Sequence, residues 1–86
     1  MFFVYILKSL KDNQFYTGYT NNLKRRLEEH NSGQSQSTKH RAKFKLIYYE
    51  AYVSDKDAKR REHNLKLRAR ALAQLKKRLE DTLASL

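Results

Sequence analysis

The alternation of apolar and polar positions divides the chain into segments of different period. Phe2-Phe3-Val4-Tyr5-Ile6-Leu7 is an unbroken aromatic, β-branched and aliphatic run that ends at Lys8, the pattern of a buried strand. Ser9 to Gln14 has turn chemistry, and Phe15-Tyr16-Thr17-Gly18-Tyr19 reads as a second short strand, so the two runs are expected to form a β-hairpin. If Lys8 faces Asn13 across the turn, Tyr5 faces Tyr16 directly and both point to one side of the sheet. Gly18 inside a strand pattern marks a bulge or a close backbone approach. Thr20, Asn21 and Asn22 supply N-cap candidates for a helix from Leu23 to His30, which Asn31-Ser32-Gly33 ends. Residues 31–43 are polar and basic without periodicity and read as a surface loop. Phe44 to Tyr52 forms the third strand. Ser54 caps a second helix, with Asp57 standing in for the usual Glu of a capping box. From Asp55 onward no residue breaks the helical pattern, and Leu65, Ala69, Leu72, Leu79, Leu83 and Leu86 recur at spacings of three, four and seven. One long helix and two helices meeting near Leu67–Arg70 both satisfy it. With no repeat or linker, the expectation is one α+β domain over residues 1–86, its core at about 2–80.

Three polar residues interrupt these patterns. Leu23 and Leu27 set the inward stripe of the first helix. Arg26 and His30 each follow one of those leucines by three residues, so they lie on or beside the face that should be buried. They are also i, i+4 partners whose heads can converge. In the second helix Glu62 lies between Ala58 and Leu65 on the apolar face, among Lys59, Arg60, Arg61 and Lys66. Each has an ordinary explanation: Arg26 as a solvated flank residue, His30 as a partner of the helix C-terminal dipole, Glu62 as the i+4 partner of Lys66. Together they mark a functional site, because local rules are broken most often where function requires it. Phe15, Tyr19, Tyr48, Tyr49 and Tyr52 read as aromatic packing, and His40 and His63 as surface residues.

Charge changes the picture further. Nineteen Lys and Arg oppose nine Asp and Glu in 86 residues, a formal net charge of +10. A small domain so basic attracts polyanions, and nucleic acid is favoured over a protein partner or an anionic membrane. The apolar run at the N-terminus is too short to span a bilayer and lacks the charged start and small-residue cleavage site of a signal peptide. A cytoplasmic protein without membrane contact is expected. The absence of cysteine excludes disulfides and thiolate metal sites. A chain of this size buries only roughly 60–65% of its unfolded surface, so the core is modest.

Phosphodiester cleavage needs a cation over the non-bridging oxygens, a base for the attacking water and usually a metal. Arg suits the first role, because its charged fork fits phosphate oxygens. Glu is a hard oxygen donor suited to Mg²⁺ or Mn²⁺, commonly held by one or two carboxylates with water and phosphate. A Tyr beside a metal and an Arg can be tuned to take a proton.

The ordered set Val4-Tyr5-Ile6, Tyr16-Thr17-Gly18, Arg26 and His30, followed by Arg61-Glu62-His63-Asn64-Leu65-Lys66, resembles the GIY-YIG nuclease domain over about residues 2 to 80. The chain is similar to small stand-alone bacterial proteins of that family, kin to modules of an excision-repair endonuclease subunit and of homing endonucleases. The resemblance implies a three-stranded antiparallel sheet flanked by helices. It also implies active-site roles for Tyr5 and Tyr16, with Gly18 letting the backbone turn beside them. Arg26 would hold the scissile phosphate, Glu62 would bind one Mg²⁺ or Mn²⁺ ion, and His30 would carry or orient a proton. Val4 and Thr17 depart from the name motif, as Gly and Ile stand there in the family. Family enzymes commonly have a further polar residue, often Asn, beyond the Glu, and Asn64 is too near Glu62 to be its counterpart.

The leading expectation is an endonuclease acting on DNA rather than RNA, including structured or damaged DNA in repair. A second reading is an inactive nucleic-acid-binding module that clamps phosphates with Lys39, His40, Arg41, Lys43 and Lys45. A third is an adaptor or homodimer that docks through the leucines from Leu65 to Leu86. It predicts binding insensitive to salt, unlike the other two.

Overall fold

The computed structural model describes residues 1–32 and 43–85. Strands β1 (Phe2–Ser9), β2 (Phe15–Thr20) and β3 (Phe44–Tyr52) form an antiparallel sheet in the order β2-β1-β3, with helices α1 (Leu23–Asn31), α2 (Asp55–Leu67), α3 (Ala69–Arg78) and α4 (Glu80–Ala84). The expected three-stranded α+β architecture is present. β1 is central and covered on both faces, which is why its run of apolar residues does not alternate with polar ones. On one face Tyr5 and Leu7 pack with Phe44, Tyr16, Leu23, Leu27 and Leu46; on the other Val4 and Ile6 pack with Ala58, Leu65 and Leu75.

The hairpin register differs from the expected one by two residues: Lys8 pairs with Phe15, Leu7 with Tyr16 and Tyr5 with Gly18. The cause lies in the turn. Asn13 adopts a left-handed φ of 59°, which Asn tolerates, and its N–H donates to the Ser9 carbonyl at 3.0 Å. Asp12 accepts from the Gln14 N–H at 3.0 Å, and Ser9 N–H closes the loop on the Gln14 carbonyl at 2.8 Å. Asn13 therefore belongs to the turn and cannot pair as a strand residue. Because the side-chain period of a strand is two, a two-residue shift keeps Tyr5 and Tyr16 on one face, now as diagonal neighbours.

A bulge between Ile6 and Leu7 in the β1–β3 pairing leaves Ile47 without a partner. It reverses the parity of β3, so Phe44 and Leu46 share a face with Tyr49, while Tyr48, Glu50 and Tyr52 point to the other. The helix caps follow the sequence. Asn22 Oδ1 accepts from the Arg25 N–H at 3.1 Å, and Ser54 Oγ from the Asp57 N–H at 3.3 Å.

The C-terminal region is divided into separate helices. Arg68 has extended backbone angles, φ −115° and ψ 98°, and ends α2 without a glycine or proline. Packing explains the break. Leu65 and Leu75 are both buried in one cluster. On a continuous helix, ten residues would set them about 15 Å apart and about 80° out of phase. Leu75 is absent from the stripe expected from spacing, whereas Leu72 and Leu79 pack inward as that stripe required. Leu65, Leu72 and Leu79 thus pack on the chain's own core. Leu86 and the side chain of Ala69 lie outside the described residues.

Candidate active site

Tyr5, Tyr16, Arg26 and His30 converge where α1 crosses the face carrying Tyr5 and Leu7. Tyr5 is fully buried at the sheet centre, and its hydroxyl shares a 2.9 Å hydrogen bond with Nε2 of His30, which is also fully buried. The His30 ring packs edge-on against Tyr16, with centroids 4.9 Å apart, and lies 5.8 Å from Phe44. The rings of Tyr5 and Tyr16 are 6.5 Å apart. Gly18 explains how Tyr5 fits: a β-carbon there would lie 2.3 Å from Cζ and the hydroxyl oxygen of Tyr5. The phenol lies directly on the glycine backbone, so the close approach expected at Gly18 is present.

Arg26, half-buried, donates to Glu29 at 2.9 Å and also bonds the Tyr5 hydroxyl. A guanidinium can only donate, so the phenol oxygen accepts from it. Burial pushes the Tyr5 hydroxyl up to about 12, against the opposing pull of the Arg26 hydrogen bond; the Glu62 carboxylate is close enough to add to the rise. Burial, and secondarily the Arg26 charge, lowers His30 to about 4. His30 is therefore neutral near pH 7.

The lowered value links stability to pH. Folded His30 resists protonation down to about pH 4, while the unfolded residue takes its proton near 6.5. Its contribution is complete above pH 6.5 and is lost as pH falls toward 4, a change on the order of 3 kcal/mol. Urea unfolding should show most of this loss between pH 7 and pH 4.5, and His30→Gln should remove most of it. An equal loss in the variant would assign the effect to other groups.

Glu62 approaches from α2. Its carboxylate, with 23% of the side chain exposed, pairs with Lys66 Nζ at 3.1 Å, and that ammonium lies 5.9 Å from the centroid of Tyr16. Asp55, Lys59, Glu62 and Lys66 form one ridge of α2 along β2: Lys59 Nζ sits 5.6 Å from the ring of Tyr19, whose hydroxyl donates to Asp55. The Lys66 pairing is thus real, and it occurs at the site. As a hard oxygen donor beside Tyr16, Glu62 fits an ion such as Mg²⁺ that takes one carboxylate and fills its other positions with water and phosphate.

Of the residues expected to bind backbone, Lys39, His40 and Arg41 lie outside the described residues, as does Gly33. Lys43 is exposed with a left-handed φ of 78°, and its carbonyl accepts from the Leu10 N–H at 3.1 Å. Lys45 is exposed on β3, directly opposite Lys8. The expected packing role holds only partly for the remaining tyrosines, and Tyr49 is largely exposed. Tyr48 and Tyr52 donate to Glu50, whose carboxylate also takes the Arg61 fork at 3.0 and 3.1 Å. Burial opposes the charge of Glu50, but Arg61 and the two hydroxyls outweigh it and hold the carboxyl below its usual range. The signal for this network is present in the sequence: Tyr48, Glu50 and Tyr52 alternate along a strand, which puts them on one face.

Known proteins match the chain over most of its length. The model of the GIY-YIG catalytic domain matches residues 1–78. The chain belongs to the GIY-YIG family. A UPF0213 protein of Clostridium perfringens is 43% identical over 67 residues, covering 77% of this chain and 71% of its own length. One from Staphylococcus haemolyticus is 45% identical over 65 residues, covering 74% and 78%. The solution NMR structure of a UPF0213 protein from Bacillus halodurans is 40% identical, with a TM-score of 0.54 over 87% of this chain and 82% of that one. GIY-YIG domains form a family of endonucleases. Among the described residues, no helix is long and apolar enough to cross a membrane.

Proposed function

We propose that this GIY-YIG chain is a metal-dependent endonuclease that hydrolyses phosphodiester bonds of DNA, including structured or damaged DNA, in the cytoplasm. The observation that carries the reading is the convergence of Tyr5, Tyr16, Arg26 and His30, with the Glu62–Lys66 ridge of α2 beside Tyr16. Arg26 stays charged and places its guanidinium where it can grip non-bridging phosphate oxygens. Glu62 would hold one Mg²⁺ or Mn²⁺ ion, which when bound supplies Lewis-acid stabilisation of charge on the phosphate and the departing oxygen. Hydrolysis joins a water oxygen to phosphorus and releases an alkoxide.

The tyrosines divide the remaining work. Tyr5 is buried, firmly protonated and engaged by His30, so it orders Arg26 and His30 and does not meet the water. Tyr16, half-buried beside the Glu62–Lys66 ridge, is the hydroxyl available to position the attacking water and help deprotonate it. His30 orients Tyr5. Lys43 and Lys45 supply backbone contacts; Lys45 lies opposite Lys8, and their like charges oppose each other unless an anion lies over them.

Supercoiled, branched and single-stranded DNA incubated with Mg²⁺ or Mn²⁺ should be cut by the wild type and not after chelation. Tyr16→Phe should lose more cleavage than Tyr5→Phe, and the reverse order would exchange the two roles. Binding that weakens with salt but never leads to cutting, under any of these metals and substrates, would replace the reading with a pure binding module.

A further inference from the structure

We propose that the corner between α2 and α3 is a second phosphate-binding site, which seats a backbone phosphate of nucleic acid away from the one being cut. The break at Arg68 opens a cavity of 530 Å³ there, lined by Arg61, Asn64, Arg68, Arg70, Gln74 and Arg78. Arg61 and Asn64, three residues apart, share one ridge of α2, and Arg68 is the extended residue that ends it. Arg70, Gln74 and Arg78 follow one ridge of α3 at spacings of four. The bend turns these two ridges toward each other, which brings four guanidiniums around one space.

Among the described residues, no carboxylate lines the cavity. Arg61 is held in place by Glu50 and leans on Asn64 Oδ1 at 3.4 Å, which leaves the Asn64 amide nitrogen to donate. Among the described residues, no ion pair engages Arg68, Arg70 or Arg78. Some helical cations elsewhere are paired with a carboxylate on their own helix, as Arg26 is with Glu29 and Arg60 with Asp57. Like charges drawn together this way repel one another unless an anion is shared. A phosphate matches the requirement, since guanidinium forks and amide donors complement its oxygens.

The position suits a strand that also reaches the cleavage site. Glu62 follows Arg61 in sequence and points about 100° around α2, toward β2. The two sites thus flank one helix, about 10–12 Å across, which a nucleic-acid strand spans in about three nucleotides at ~3.4 Å rise each. The choice of nucleic acid as the source of the phosphate rests on the nuclease reading; the phosphate chemistry of the corner does not.

The test uses the full chain carrying Glu62→Gln, so that binding is read without cutting. Affinity for a short DNA duplex is measured by fluorescence anisotropy against salt, with and without Arg70→Gln/Arg78→Gln, and circular dichroism confirms folding. The expected result is a loss of about tenfold in affinity and a salt slope smaller by about one. Arg70→Lys/Arg78→Lys keeps the charge without the forks and should restore affinity only in part; full restoration would reduce the corner to a diffuse charge and overturn the built site. Unchanged affinity and slope in the glutamine variant would overturn the seating of a nucleic-acid phosphate there. In a parallel NMR titration with pyrophosphate, shifts of the Arg side-chain N–H signals without any effect of the glutamines on DNA binding would reject the backbone source and assign a small phosphate compound. A wild type that never cuts, but whose binding falls in the glutamine variant, would remove the nuclease reading and leave this site standing.

Discussion

Glu62→Gln is expected to lower cleavage on the order of 10³-fold or more while leaving folding and DNA affinity near the wild-type level. The amide has the shape of the carboxylate but not its charge, and it is a poor ligand for a hard divalent cation. Stability should hardly move, because the exposed pair with Lys66 contributes no more than about 0.5 kcal/mol. Arg26→Ala should cost about 10²- to 10³-fold, and Arg26→Lys should recover only part of it, since an ammonium cannot replace the fork that reaches both Tyr5 and a phosphate. Single-turnover nicking of supercoiled DNA at saturating protein separates these losses from weaker binding. Glu62→Gln protein that cuts at half the wild-type rate would take Glu62 out of the chemistry.

Gly18→Ala should be the most damaging single-methyl change in the chain. The new β-carbon would sit 2.3 Å from the Tyr5 phenol, well inside any contact that real atoms tolerate. Relief requires the Tyr5 ring to move, but the ring is enclosed by α1 and anchored by the 2.9 Å bond to His30. Moving it leaves a buried imidazole without its partner, so overpacking and an unsatisfied polar group add together. The expected destabilisation is about 2–4 kcal/mol, a fall in Tm of roughly 10–25 °C for a domain this small. Cleavage should fail as well, because Arg26 is aligned through the same hydroxyl. Thermal unfolding by circular dichroism decides it, and an unchanged Tm would mean that Tyr5 does not rest on Gly18.

These two predictions concern features that were unequally visible in the chain. The strands, the caps at Asn22 and Ser54 and the helical run after Asp55 are legible, because periods of 2 and 3.6 and capping chemistry are local properties. Arg26 and His30 stand out for the same reason: a polar residue on an apolar stripe is conspicuous from its spacing alone. That Gly18 is special was legible, but the ring it accommodates was not, since the expected register set Tyr16 and not Gly18 opposite Tyr5. The turn around Asn13 decided that register, and the bulge at Ile47 reversed the parity of β3; each alters pairing while leaving the apolar pattern acceptable.

The ordered motifs around Tyr5, Tyr16, Arg26, His30 and Glu62 resemble the GIY-YIG domain, and the family they suggest is the one whose model matches residues 1–78. Where α2 ends was open, because no residue in the run after Asp55 forbids a helix. The shared cluster of Leu65 and Leu75 bends the chain at Arg68, and that bend gathers arginines that the sequence spreads over nearly twenty positions. The pairing of Arg61 with Glu50 across α2 and β3 has the same origin. Local periodicity determines which face of an element is buried; only packing against the other elements decides the side chains that face turns toward, and therefore which charges meet.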